Sequence, residues 1–104
     1  MHGRFARYRY TGDAPERARS AEEGMVPIFE AQGGFQAYSI FESDGEILSF
    51  SAWDTAEGAE AASKAAAEWV ASNMADSITL QEVRTGEILL ATRLGVSAKA
   101  GATA

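Results

Sequence analysis

The chain has 104 residues, enough for one domain, and its 15 acidic against 9 basic residues leave a formal net charge of −6. This acidic balance argues against general nucleic-acid binding, and the absence of cysteine excludes disulfides, thiolate metal sites and thiol catalysis. With no apolar run near the ~20 residues of a membrane span and no secretory pattern at the N-terminus, we expect a cytoplasmic protein that does not contact membranes.

The N-terminal residues alternate as a strand. Residues 5–10 read FARYRY, which places Ala6 and Tyr8 on one side and Arg7 and Arg9 on the other. Because burying two guanidinium groups under helices would be costly without ion partners, we expect Ala6 and Tyr8 to face the helices. The alternative is that both arginines are solvated at a sheet edge.

A helix is predicted next. Asp13 and Glu16 have the spacing of a capping box, and apolar residues then follow at helical intervals. Pro27 lacks a backbone N–H, so we expect a kink or a restart near Met25. The glycine pair 33–34 should end the segment, since glycine adopts left-handed backbone easily.

A β-hairpin is predicted around Asp44-Gly45, a dipeptide that suits a type I′ turn. If Ser43 pairs with Glu46, alternation sorts the two strands into two faces. One face carries Phe35, Ala37, Ser39, Phe41, Leu48, Phe50 and Ala52. The other carries Gln36, Tyr38, Ile40, Ile47, Ser49, Ser51 and Trp53.

The two faces of the hairpin differ in chemistry. The first is small and apolar, and we expect the helices to pack on it. The second mixes aromatic rings with hydroxyl and amide groups, as a ligand cavity or a subunit interface does. We expect Arg7 and Arg9 to lie on the same side as Tyr38 and Trp53, and we expect this side to be left open by the helices.

The remaining chain contains one more helix and at least one strand. Asp54 or Thr55 should cap a helix that ends near Asn73 and carries a stripe of small residues. Residues 78–84 should form a fourth strand, and residues 87–94 a fifth strand or an extended arm. Thr85-Gly86 should form a turn or bulge between these two segments. Residues 95–104 are expected to form a flexible tail.

The predicted order is β-α-β-β-α-β, the split ferredoxin-like plan of an α+β protein with an antiparallel sheet. We expect a single domain over residues 1–94. An open face rich in aromatic residues does not stay wet on a monomer, so we expect a homodimer in which two such faces meet. The run Ile88-Leu89-Leu90 is apolar on both sides, and whether residues 87–94 exchange with the partner subunit is left open.

Three segments resemble the antibiotic biosynthesis monooxygenase-like family of the dimeric α+β barrel superfamily. They are residues 34–38 (GFQAY), the Asp44-Gly45 turn and residues 51–57 (SAWDTAE). The resemblance implies a homodimeric barrel with a cavity between sheet and helices or at the barrel centre. Some members oxidise polycyclic phenols to quinones without metal or flavin, so no cofactor is expected. Others degrade haem with an internal histidine, whereas the histidine of this chain is His2.

The resemblance carries Trp53 over as the family's tryptophan at the strand end. Cofactor-free members place an asparagine on that strand, where this chain has Ser49 and Ser51. From the residue types, Tyr38 is the candidate for an orienting or proton-donating hydroxyl and Arg7 for holding an anion. Substrate contacts are expected from Gln36, Ser49, Ser51 and Trp53. Trp53 could equally pack in the dimer interface.

Two functions follow as hypotheses. The first is a cofactor-independent oxygenase that acts on a small aromatic or polyketide-like substrate. The second is a non-catalytic homodimer that binds a small apolar molecule or fills its cavity with its own side chains. The sequence has no cluster of metal-ligand residues and no phosphate-binding loop, since the glycines at 33–34 precede a strand.

Overall fold

The structure, a computed structural model, describes residues 1–98. Its elements are β1 (His2–Tyr10), α1 (Ala14–Gln32), β2 (Phe35–Ser43), β3 (Glu46–Trp53), α2 (Ala56–Asn73) and β4 (Ile78–Glu87). The four strands form one antiparallel sheet in the order β2-β3-β1-β4. The predicted ferredoxin-like α+β fold is therefore confirmed. Neither helix of this described region has the length and apolarity needed to cross a membrane.

The local signals in the sequence form the expected structures. Asp44 and Gly45 have φ angles of 52° and 78°, the positive values that a type I′ turn requires. Asp13 caps α1 by accepting a hydrogen bond of 3.2 Å from the backbone N–H three residues later. Thr55 caps α2 in the same way, at 3.1 Å. Each cap satisfies a donor that the first helical turn leaves unpaired.

The two helices cover the opposite sheet face from the one predicted. Trp53 is completely buried under them, and its ring meets Phe29 of α1 edge-on at 5.2 Å between centroids. Leu48 and Phe50 lie on the other face, which no helix covers. Burying the larger aromatic rings removes more apolar area from water, and the hydroxyl groups of Ser49 and Ser51 find hydrogen-bond partners inside.

A bulge in β2 changes the end of the hairpin. The predicted register holds from the turn to Ala37, but Trp53 then pairs with Phe35 where Gln36 was expected. The extra residue brings the Phe35 ring onto the covered face, with its centroid 5.3 Å from that of Trp53. The Gln36 side chain is exposed. A bulge re-aims side chains in this way because two residues oppose one.

Two other expectations are corrected. The first helix does not restart near Met25, since α1 runs unbroken through Pro27. Pro27 is exposed, so water can solvate the carbonyl group that lacks a hydrogen bond because proline has no N–H. Strand β4 continues through Thr85-Gly86 to Glu87, and no fifth strand follows within residues 1–98. Of the predicted tail, residues 99–104 lie outside the described residues.

Candidate functional site

Polar side chains form a row across the covered face of the sheet. Tyr38 of β2 is opposite Ser51 of β3, Ser51 is opposite Arg4 of β1, and Arg4 is opposite Thr85 of β4. Because directly paired residues project to the same side, these four positions share the face beneath the helices. We call them the polar row. Arg4 and Ser51 are buried, Tyr38 is half-buried, and Thr85 is exposed.

Arg4 is the unexpected member of this row. Its side chain is buried, with 3% of the residue exposed, and its Nε donates a hydrogen bond of 2.6 Å to Ser63 Oγ of α2. None of the ion pairs formed within residues 1–98 includes it. A buried cation paired only with a neutral hydroxyl costs folding free energy. Such a cost is typical of groups kept for function.

Tyr38 is a half-buried residue of β2 that lines two open spaces in the protein. Its ring packs edge-on against Phe29, with centroids 5.3 Å apart. Burial raises the pKa of Tyr38 to about 12, the neighbouring Tyr8 raises it further, and the charge of Arg4 lowers it. The hydroxyl group therefore stays protonated at neutral pH and acts as a hydrogen-bond donor, not as a base. No residue in the described part of the chain hydrogen-bonds to it.

Tyr38 separates two spaces in the protein. An interior cavity of about 30 Å³ lies between the sheet and the helices. A groove of about 690 Å³ runs between α1 and β2, and Ala18, Tyr38 and Ile40 line both. The cavity has room for about one or two water molecules. The groove is within the roughly 300–1,000 Å³ of small-molecule sites.

The predicted substrate contacts divide between this site and its support. Ser49 lines the cavity and its hydroxyl donates to the Ala6 carbonyl at 3.4 Å. Ser51 Oγ accepts a hydrogen bond of 2.9 Å from Trp53 Nε1. Trp53 is buried among aromatic rings and lines neither space. Ser51 and Trp53 therefore support the site from within the core and do not line it.

Two other predicted residues lie away from Tyr38. Gln36 is exposed and donates a hydrogen bond of 2.7 Å to Asp54 Oδ1. Arg7 lies on the open face, where it pairs with Glu46 at 2.6 Å and with Glu82 at 3.4 Å. The hydrogen bond that Arg7 donates to Glu46 is the main cause that raises the pKa of Arg7. The prediction that Arg7 and Tyr38 share a face is wrong, because the sheet lies between them.

Arg4, not Arg7, shares the sheet face of Tyr38, since both pair with Ser51. The signal for it was present in the sequence. Ala6 was expected to face the helices, and alternation puts Arg4, two residues earlier, on the same side. Helices were not expected to cover a guanidinium group that has no ion partner, and here they cover that of Arg4. Separately, no cluster of three or more metal-ligand side chains occurs within residues 1–98.

Comparisons with known proteins identify the fold. No family model matches the sequence, and no curated protein matches it. SnoaB from Streptomyces nogalater, a cofactor-independent oxygenase, superposes with a TM-score of 0.66 at 17% identity, over 88% of this chain and 95% of that one. NE2512 from Nitrosomonas europaea, of unknown function, gives 0.67 at 18% identity over 88% and 91%.

A candidate antibiotic biosynthesis monooxygenase from Nitrosomonas europaea is also similar. It gives a TM-score of 0.65 at 16% identity, over 86% of this chain and the whole of that one. The TM-scores establish a common architecture, whereas identities this low leave the reaction open. The structures agree with the resemblance that residues 34–57 carry. The chain has the ferredoxin-like fold of the antibiotic biosynthesis monooxygenase-like proteins.

Proposed function

We propose that this chain is a member of that family and a cofactor-independent oxygenase for a small aromatic or polyketide-like substrate. The observation that carries the proposal is the position of Tyr38. Its protonated hydroxyl group has no protein partner within residues 1–98 and stands where a ligand-sized groove meets the interior cavity. The likeness in fold to SnoaB, described as a cofactor-independent oxygenase, supports the same reading.

The groove suits a flat, mainly apolar substrate. Val26 of α1 lies on one wall, and Phe35, Ala37 and Ile40 of β2 lie on the other. A ring bound between them would bring one oxygen atom to the Tyr38 hydroxyl group, which would donate a hydrogen bond to it. The cavity behind has mostly apolar walls and room for a molecule the size of dioxygen.

The reaction proposed is the oxidation of a phenol to a quinone. The ionised substrate supplies the electrons, and dioxygen is the oxidant. One oxygen atom becomes the new carbonyl on the ring carbon that loses its hydrogen. The other leaves as water, taking that hydrogen and the phenolic proton. The protein contributes substrate orientation and stabilisation of the substrate anion.

A non-catalytic ligand-binding protein is the second candidate, and one observation favours it. Cofactor-free oxygenases of the family place an asparagine on this strand, where the present chain has Ser49 and Ser51. The oxygen of Ser51 accepts the Trp53 indole N–H, and the hydroxyl group of Ser49 donates to the backbone. Neither serine is therefore free to act as a base.

The assembly that we propose is a homodimer formed by the open sheet face. Phe41 and Phe50 on that face are 59% and 38% exposed, and Leu89 and Leu90 in the segment after β4 are 69% and 63% exposed. Leu89 and Leu90 line a shallow depression together with Phe50, so these apolar side chains adjoin. A second copy would remove this apolar surface from water.

Oxygen uptake with an electron-rich substrate tests the proposed reaction. With 1,8-dihydroxyanthrone we expect uptake above the spontaneous rate, and we expect Tyr38→Phe to lower kcat about tenfold or more. Tyr10→Phe is the matched control, because the Tyr10 hydroxyl group bonds Glu42 at an exposed position away from both spaces. Binding of the anthrone without uptake would support the non-catalytic candidate.

A further inference from the structure

The interior cavity carries positive charge in an acidic protein, whereas the walls of the groove add one charge of each sign, Arg19 and Glu22. The formal net charge is −6, yet the cavity walls include Arg17 of α1 and no carboxylate side chain. Arg17 Nε donates a hydrogen bond of 2.9 Å to the Thr11 carbonyl, so its charge is not neutralised by that bond. Helix α2, the residue that ends it and strand β4 add no titratable side chain to the walls, only Trp69, Val70, Met74 and Ile78.

Arg4 adds a second cation behind Tyr38. Its guanidinium group is buried, it has a neutral hydrogen-bond partner in Ser63, and no acidic residue of the described chain pairs with it. Arg4 and Tyr38 both pair with Ser51, from opposite sides of β3, so they lie two strands apart on the same face of the sheet. From there the positive charge of Arg4 lowers the pKa of Tyr38. An apolar side chain of similar length would cost the fold less at this position.

We infer that Arg4 determines ligand specificity: it makes the site prefer the oxyanion of a small aromatic ligand, a phenolate or a carboxylate, over the neutral molecule. The inference rests on the proposed function, which places the ligand beside Tyr38. In this arrangement Tyr38 donates the hydrogen bond to the oxyanion, and Arg4 supplies the field from behind without touching it. A buried charge acts strongly because little water screens it.

Three ligands of nearly equal size test this preference. 4-Nitrophenol at a pH where it is ionised and 4-nitrobenzoate are the two oxyanions, and 4-nitroanisole is the neutral control. Their nitro groups quench tryptophan fluorescence, and Trp69 lines the cavity. We expect both oxyanions, or the one whose geometry fits, to bind about tenfold more tightly than nitroanisole. The stronger of the two identifies phenol or carboxylate as the natural group.

Arg4→Met is the test variant, and Arg7→Met on the open face is its matched control. We expect Arg4→Met to bring the oxyanion-to-anisole affinity ratio close to one, with the affinity for nitroanisole unchanged. Arg7→Met should keep the ratio of the wild type. Arg17→Met measures the contribution of the cation in the cavity wall, and a ratio abolished by this variant but kept by Arg4→Met would overturn the inference.

The wild-type protein gives a second readout that needs no variant. The ionisation midpoint of bound 4-nitrophenol, followed by its visible absorbance, should be lower than that of the free ligand.

The thermal midpoint of Arg4→Met should equal or exceed that of the wild type. A lower thermal midpoint together with an unchanged affinity ratio would show that Arg4 is structural.

The outcomes separate this inference from the proposed function. If the wild type binds none of the three ligands, the proposed ligand site fails, and the inference fails with it. If all three bind with equal affinity, or if bound nitrophenol ionises at its ordinary pH, the ligand site stands and the inference about Arg4 is wrong.

Discussion

The indole ring of Trp69 in α2 lies directly on Gly24 of α1. A Cβ atom at Gly24 would overlap three atoms of the ring, so no larger residue fits while the indole stays in place. Trp69 also lines the interior cavity, and this contact therefore sets the distance between the helices beside the site.

Gly24→Ala should therefore destabilise the protein although alanine is the better helix former. Overpacking costs about 1–3 kcal/mol, and the helix propensity of alanine returns up to about 1 kcal/mol. Urea unfolding measures the difference. The matched control is Gly58→Ala in α2, where the new methyl group would meet its nearest atom at an ordinary 3.4 Å. We expect that variant to be neutral or stabilised, and equal effects of both changes would contradict the packing argument.

Ser51→Ala should destabilise the core by leaving the Trp53 indole N–H without its partner. The bond is 2.9 Å long and buried, and an unsatisfied buried donor costs about 1–3 kcal/mol. Ser39→Ala on the exposed side of β2 is the control, and its effect should stay within about 0.5 kcal/mol. Chemical denaturation of both variants gives the comparison. A loss for Ser51→Ala no larger than for Ser39→Ala would show that the bond is not required.

Tyr38 should make the fold sensitive to alkali. Its pKa is raised from 10.0 to about 12, mainly by burial, so the unfolded chain loses this proton first as the pH rises. The stabilisation is fully present below pH 10 and is lost as the pH rises towards the folded pKa of about 12. Over that range Tyr38→Phe should lose about 2–3 kcal/mol less unfolding free energy than the wild type.

Urea unfolding at several pH values from neutral to strongly alkaline measures this difference. Tyr10→Phe is a useful comparison, since the pKa of Tyr10 is raised chiefly by its hydrogen bond to Glu42 and not by burial. Parallel curves for the wild type and Tyr38→Phe would mean that the Tyr38 hydroxyl group is solvated.

Phe50→Glu should disrupt the proposed homodimer. The change puts a charge in the middle of the open face, where a second copy would remove it from water, and we expect dimer affinity to fall at least about a hundredfold. Ile28→Glu is the control, because Ile28 is equally exposed but lies on α1 at the other side of the sheet. Sedimentation equilibrium measures both. A wild type that remains monomeric at high concentration would refute the dimer itself.

Local sequence signals predicted the elements of this fold because they act over a few residues. The turn at Asp44-Gly45 depends on backbone angles that these two residues adopt readily. The caps at Asp13 and Thr55 depend on side chains that reach a backbone N–H within one helical turn. Six such elements in this order leave few alternatives to a split ferredoxin-like sheet.

The placement of the site was decided only by tertiary packing. Alternation sorts the side chains of a strand into two sets, but it does not say which set meets the helices. The total area buried by Trp53, Tyr38 and the surrounding rings decides that, together with hydrogen bonds that form only in the assembled core. The bulge beside Ala37 follows from the same packing. It depends on contacts between residues far apart in the chain, which no local pattern records.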